Sequence, residues 1–307
     1  MTRERLRVAT RNSPLALQQA RTVAAGLRAR HPDMPVEVIG MRTQGDRMLD
    51  RSLAAIGGKG LFVQELEQRL LHHEADIAVH SMKDVPADTD LPPGLALPAI
   101  VARESPYDAF VSPRWHEPAR LPADAVIGTC SLRRASQLLH ALPHCRVAEL
   151  RGNVNTRLDK LDRGDFDAIV LARAGLDRLG LGERVSAQLD PGLCLPGIGQ
   201  GALGIECRAD DPAVRGYIEA LADPVTSACV VAERALARGL GASCLSPVAG
   251  HATIAAGVLR LDARVAAADG RTVLATQQAG EPDDPEAVGT AAARALMAQG
   301  AAALLGG

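Results

Sequence analysis

The chain has 307 residues, 47% of them hydrophobic, with a formal net charge of −2, enough for two or three domains with real cores. Slight acidity and only 2% aromatic residues argue against a nucleic-acid binder, which needs a basic face and stacking rings. No segment approaches the roughly 18 apolar residues of a membrane span, and the charged start "MTRERLRVATRNS" lacks a signal-peptide core, so the cytoplasm is the expected compartment.

In chain order, "LRVAT" (6–10) reads as a strand. Ser13 and Pro14 then open a helix over "LALQQARTVAAGLRAR", the serine as N-cap and the proline where its missing N–H costs nothing. "VEVIGM" (36–41) is a second strand, followed by polar "RTQGDRMLDRS", by "AIGGKG" (55–60) and by the amphipathic helix "LFVQELEQRLL". "DIAVHSMKDVP" (76–86) begins as a buried strand and ends with Lys83 beside Asp84. Such a neighbour pair is ordinarily solvated surface.

The pattern repeats after residue 100. "AVIGT" (125–129) leads through Cys130, Ser131, Arg133 and Arg134 into the helix "ASQLLHAL". "RVAEL" (146–150) leads through Arg151-Gly152-Asn153 into "VNTRLDKLDRG", and "DAIVLA" (167–172) through Arg173 into "AGLDRLG", which contains Arg178. Strand then helix, repeated, predicts an α/β fold with largely parallel sheets. After residue 220 come the helix "SACVVAERALARGL", the loop "GASCLSP", the strand-like run "VAGHATIAAGVLRLDARVAAA", an Asp269-Gly270 turn and a last helix over 285–299. That order predicts a small α+β domain, and the tail "GAAALLGG" reads as frayed.

All but three of the 34 basic residues are arginines; the lysines are Lys59, Lys83 and Lys160. Open α/β sheets bind ligands beyond the carboxyl ends of their strands. There this chain places Arg11, Ser13, Lys83, Asp84, Thr129, Ser131, Arg133, Arg134, Arg151 and Arg157. Basic strand ends in an acidic protein predict a crevice for a small polyanion, gripped by guanidinium forks. One carboxylate among them, Asp84, suits stabilisation of a developing cation or proton relay.

Two glycine-rich stretches mimic nucleotide motifs. "IGGKGL" lacks the earlier glycine and the Ser/Thr of a P-loop. "GIGQGA" (197–202) has loop before it and strand after it, the reverse of a dinucleotide fingerprint. Its glycines instead mark a chain crossing or a close backbone approach. The six cysteines, at 130, 145, 194, 207, 229 and 244, form no C-x-x-C, so neither a disulfide framework nor a metal site is expected. Cys130, beside Arg133 and Arg134 at a helix N-terminus, and Cys244, in a small-residue loop, are the candidate reactive thiols. Chemistry alone favours Cys130.

The segments "ATRNSPLAL", "GGKGLFVQELE", "HSMKDVP", "GTCSLRRASQL", "RGNVNTRLDKLDRGDFDAIVLARAGLDRLG" and "LPGIGQGALGIECR" run in order through residues 5–210. Together they resemble the hydroxymethylbilane synthase (porphobilinogen deaminase) family; the final third matches mainly through the cysteine loop. The resemblance implies two periplasmic-binding-protein-like, doubly wound α/β domains, residues 1–100 with 200–218 and residues 101–199, plus a small α+β domain at 219–307. It implies an enzyme that condenses four porphobilinogen molecules head to tail with loss of ammonia on a covalent dipyrromethane, then hydrolyses the product to hydroxymethylbilane for haem biosynthesis. The cofactor's thioether maps to Cys244 rather than Cys130, with Ala242-Ser243 where the family usually has two glycines.

Asp84 maps to the catalytic carboxylate, and Ser81, Lys83, Thr129, Ser131, Arg133, Arg134 and Arg151 to cofactor binding. Arg11, Ser13, Arg157, Arg178 and Gln200 map to substrate binding, and Lys59 and Phe62 to a lid around 43–60, with Phe62 beside the cofactor. No metal, nucleic-acid or membrane partner is implied, and a monomer is expected.

Overall fold

The computed structural model describes residues 4–41, 63–87, 91–243 and 245–305. Its strands are β1 (Leu6–Arg11), β2 (Val36–Met41), β3 (Ile77–Ser81), β4 (Leu95–Ile100), β5 (Asp108–Val111), β6 (Val126–Gly128) and β7 (Arg146–Ala148). They continue with β8 (Ala168–Ala172), β9 (Ala187–Gln188), β10 (Leu203–Arg208), β11 (Val248–Ala255), β12 (Val258–Ala266) and β13 (Val273–Gly280). The helices are α1 (Pro14–Arg30), α2 (Gln64–Leu71), α3 (Leu132–Ala141), α4 (Val154–Asp162) and α5 (Arg173–Arg178), then α6 (Pro212–Glu219), α7 (Pro224–Gly239), α8 (Pro285–Ala298) and α9 (Ala301–Leu305). Two compact units result: Met1–Arg103 with Ala202–Ser227, and Glu104–Gly201 with Ala228–Gly307.

In the first unit the sheet order is β2-β1-β3-β10-β4. β1 is parallel to β2 and β3, while β10 runs antiparallel between β3 and β4. Alternation along β1 sends Val8 to one face, against Val23 and Leu27 of α1 and Val214 and Ile218 of α6. Ala9 goes to the other, against Leu66 and Leu70 of α2. With helices on both faces every residue of β3 is buried, as a doubly covered strand requires. Ser13 caps α1 as its position predicts, accepting from the Ala16 N–H at 3.3 Å with Pro14 in the first turn.

The second unit repeats this plan in the order β7-β6-β8-β5-β9. β6 is parallel to β7 and β8, and β5 is antiparallel to β8. Phe110 and Val170 pack with Leu138 of α3 on one face, and Val111 and Ile169 with Leu158 and Leu161 of α4 on the other. Both sheets are therefore mixed rather than largely parallel. The sequence reading missed β4, β5 and β9, which are short or edge-placed and follow no strand–helix alternation.

The second unit also carries the antiparallel sheet β11-β12-β13, backed by α8. The strand-like run is a hairpin, turned at Ala256 and Gly257 with φ of 51° and 74°, the left-handed pair of a tight two-residue turn. The tail read as frayed forms α9, set off from α8 by Gly300 at φ 97° and anchored by fully buried Ala301. Glu233 of α7 ties the sheet to the preceding loop, accepting from the Gly199 N–H at 2.7 Å and the Ala252 N–H at 2.8 Å.

Candidate active site

In the first unit β1 and β3 run parallel, so their carboxyl ends share one edge. β1 ends in Arg11, followed by the N-cap Ser13. β3 ends in Ser81 and turns into a single 3-10 turn, Met82–Asp84. Met82 and Val85 are buried at 1% and 4% exposure, while Lys83 and Asp84 between them are exposed. The apolar pair anchors the turn and the charged pair is presented by it. Lys83 and Asp84 are thus a presented edge feature, with the backbone beneath them fixed by the Met82 N–H donating to Ala202 O at 3.0 Å.

In the second unit the ends of β6, β7 and β8 share an edge in the same way. Thr129 is buried and accepts from the Ser131 N–H at 3.2 Å. α3 begins three residues earlier than the pattern "ASQLLHAL" suggested, which brings Arg133 and Arg134 into its first turn, buried at 7% and 5%. Both converge on Asp108 of β5: Arg133 Nη1 donates to Oδ2 at 2.8 Å and Arg134 Nε to Oδ1 at 2.9 Å. Gln200 Nε2 adds a third donor to Oδ1 at 2.9 Å while its own oxygen accepts from Arg134. Burial pushes the Asp108 carboxyl up, but the fields of Arg133 and Arg134 and the hydrogen bonds outweigh it and hold it well below the usual carboxylate range. Two guanidiniums against one carboxylate leave this cluster one positive charge.

The remaining arginines of this edge also have local partners. Arg151 pairs with exposed Glu149, whose pKa it lowers chiefly by hydrogen bonding. Arg157 Nε donates to Gly152 O at 2.7 Å, and its Nη2 lies 3.5 Å from the Cys130 sulfur. Arg178 donates to Glu104 at 3.0 Å and to Gly201 O at 2.8 Å. Asn153 caps α4 by accepting from the Thr156 N–H at 2.9 Å.

Two family models match. One, described as porphobilinogen deaminase, dipyromethane cofactor binding domain, spans residues 6–216; the other, porphobilinogen deaminase, C-terminal domain, spans residues 227–298. The porphobilinogen deaminase of Chromobacterium violaceum is 51% identical over 98% of this chain and 97% of its own length. That of Thiobacillus denitrificans is 52% identical over 98% and 97%. The chain belongs to the porphobilinogen deaminase family. Among solved structures, the methionine-binding protein MetQ aligns over 71% of this chain and 89% of its own at 12% identity and a TM-score of 0.46.

For a porphobilinogen deaminase the two edges divide the expected residues. The first unit brings together Arg11, Ser13, Ser81, Lys83 and Asp84; the second gathers Thr129, Ser131, Arg133, Arg134, Arg151, Arg157, Arg178 and Gln200. Lys59, Phe62 and Cys244 lie outside the described residues. Sequence reading missed the acids that hold the arginines: Asp108, Glu104 and Glu149. Asp108 had a visible signal, a carboxylate opening the apolar run "DAFV", since a buried charge demands a partner. The guanidiniums and hydroxyls of each edge fit the family's dipyrromethane, whose arms are carboxylates.

Proposed function

We infer that this chain is a hydroxymethylbilane synthase, a transferase of tetrapyrrole (haem) biosynthesis. It condenses four porphobilinogen molecules head to tail on a covalent dipyrromethane, releases ammonia at each step and hydrolyses the product to hydroxymethylbilane. The observation that carries the residue roles is the anchored turn at the end of β3, which presents Asp84 beside Lys83 on a basic strand edge.

When bound, the dipyrromethane supplies the pyrrole carbon from which the chain grows. Asp84 accepts from the pyrrole N–H of the reacting unit and stabilises the positive charge that develops there as ammonia departs. Lys83, one residue away, takes a substrate carboxylate, so adjacent opposite charges serve different atoms of one ligand. Arg11 and Ser13 on the first unit, and Arg157, Arg178 and Gln200 on the second, serve the incoming substrate's carboxylate arms. Ser81, Thr129, Ser131, Arg133, Arg134 and Arg151 serve those of the cofactor. For Arg151 this is an exchange: an exposed Glu149 carboxylate gives way to a ligand carboxylate. For Arg133 and Arg134 the excess charge over Asp108 would serve the cofactor's carboxylates. Cys244 carries the thioether, and Lys59 and Phe62 belong to the lid. The three-domain division at 1–100 with 200–218, 101–199 and 219–307, a cytoplasmic location and a monomeric state complete the proposal. No helix among the described residues is long and apolar enough to cross a membrane.

Intact mass of the denatured protein, compared with Cys244→Ser, tests this. A mass excess of two linked pyrrole units that disappears in the variant is expected. A bare chain that stays bare after incubation with porphobilinogen would instead indicate an anion receptor without chemistry.

A further inference from the structure

β3 carries a buried polar cluster on the residues just before the catalytic turn. His80 precedes Ser81, and its Nε2–H donates to Glu206 Oε2 of β10 at 2.7 Å, with side-chain exposures of 3% and 0%. In the β3–β10 register Gly204 faces His80 and Glu206 faces Ala78, so the bond is a diagonal tie on one face of the sheet. The same strand supports the turn through two more contacts. Leu203 pairs with Ser81, and a Cβ on Gly204 would stand 2.4 Å from the Met82 sulfur, so Met82 lies against bare backbone there. The turn beneath Lys83 and Asp84 is thus backed by β10 and by Ala202 just before it.

The cluster is not one that stability alone favours. Glu206 Oε1 is buried without a hydrogen-bond partner, and apolar residues of similar volume usually do better than buried charges. A third group, Glu67 of α2, is 8% exposed on the face where α2 covers the sheet. Burial first, and then the Glu206 charge, push its carboxyl up to about 7, with His80 acting in the opposite direction. Arg208 and Arg7, also on this face, are committed elsewhere. Arg208 of β10 donates to Leu70 O, Ala75 O, Asp76 and Asp211, and Arg7 of β1 is paired with Asp76.

We propose that His80, held by Glu206, is a positioning residue for the Lys83–Asp84 turn. Release of the His80–Glu206 bond loosens the end of β3, and a misplaced catalytic carboxylate slows the chemical step while leaving carboxylate binding by the arginines in place. This rests on the role of Asp84 given above.

The test is kcat and KM in the holoenzyme for wild type, Glu206→Gln and Asp84→Asn. Glu206→Gln lowers kcat about 10- to 100-fold with KM little changed. Wild-type kcat in Glu206→Gln overturns the proposal. Turnover retained by Asp84→Asn would instead overturn the role of Asp84. The His80 imidazole resonances, followed by NMR, report on the tie without catalysis; resonances identical in wild type and Glu206→Gln also overturn the proposal.

Discussion

Asp84 and Asp108 are both carboxylates among cations, and their surroundings give them opposite tasks. Asp84 is exposed on an anchored turn, so its removal leaves the packing untouched. Asp84→Asn is expected to melt like wild type and to lower kcat on the order of 10²- to 10³-fold, the scale of losing one preorganised charge-stabilising group; steady-state kinetics beside a thermal melt checks both halves. Asp108 is fully buried between Arg133 and Arg134. Asp108→Ala leaves two buried guanidiniums unpaired and is expected to destabilise the protein by about 3–5 kcal/mol, measured by denaturant titration. Because the folded-state pKa of Asp108 is depressed, its contribution is present above the unfolded value of about 4 and is lost as pH falls below it. The stability gap between wild type and Asp108→Asn should therefore narrow in acid; a gap that widens would contradict the sign.

At the scale of elements, the parallel strands with capped helices behind them decide where chemistry-bearing residues gather. Ser13 and Asn153 start α1 and α4 in the loops that follow β1 and β7, so the carboxyl edges acquire helix N-termini as well as arginines. The segment "GIGQGA" shows why its glycines are there. Gly201 sits at φ 89°, and a Cβ would lie 2.6 Å from Glu104 O, a backbone neighbour with no rotamer to yield. Gly164 has a similar φ of 84° with nothing within 4 Å. Gly164→Ala is expected to cost about 1–2 kcal/mol from left-handed backbone alone, and Gly201→Ala clearly more. Equal losses in parallel melts would show that the close approach at Gly201 is not limiting.

Across the whole molecule, thiol accessibility offers a check on both units at once. Of the cysteines among the described residues, Cys130 is exposed, and Cys145, Cys194, Cys207 and Cys229 are buried. Burial pushes the Cys194 thiol up to about 12 and the Cys207 thiol up to about 11. Native-state alkylation read by peptide mass mapping should therefore modify Cys130 quickly and these four only on denaturation. Rapid native labelling of Cys194 or Cys207 would mean that the core of its unit opens. The same burial makes Cys130 the chemically accessible member of the five.

The sequence by itself determined the α/β class, the two strand–helix series and the basic strand ends, because periodicity, caps and the residues just after a strand are local properties. It also carried the motifs that mark the family. Only the tertiary structure decided what lies across from each group. β5 and β10 enter their sheets antiparallel, each from a distant part of the chain, so nothing near Arg133 or His80 in sequence announces Asp108 or Glu206 as a partner. The hairpin at Ala256-Gly257 and the helix in the tail were hidden for a related reason: alanine fits a strand, a turn flank or a helix, and packing around Ala301 and the left-handed turn chose among them. Arginines at strand ends could be read from the chain, but their commitment to buried or local carboxylates required the fold, since burial and charge pairing are set by contacts distant in sequence.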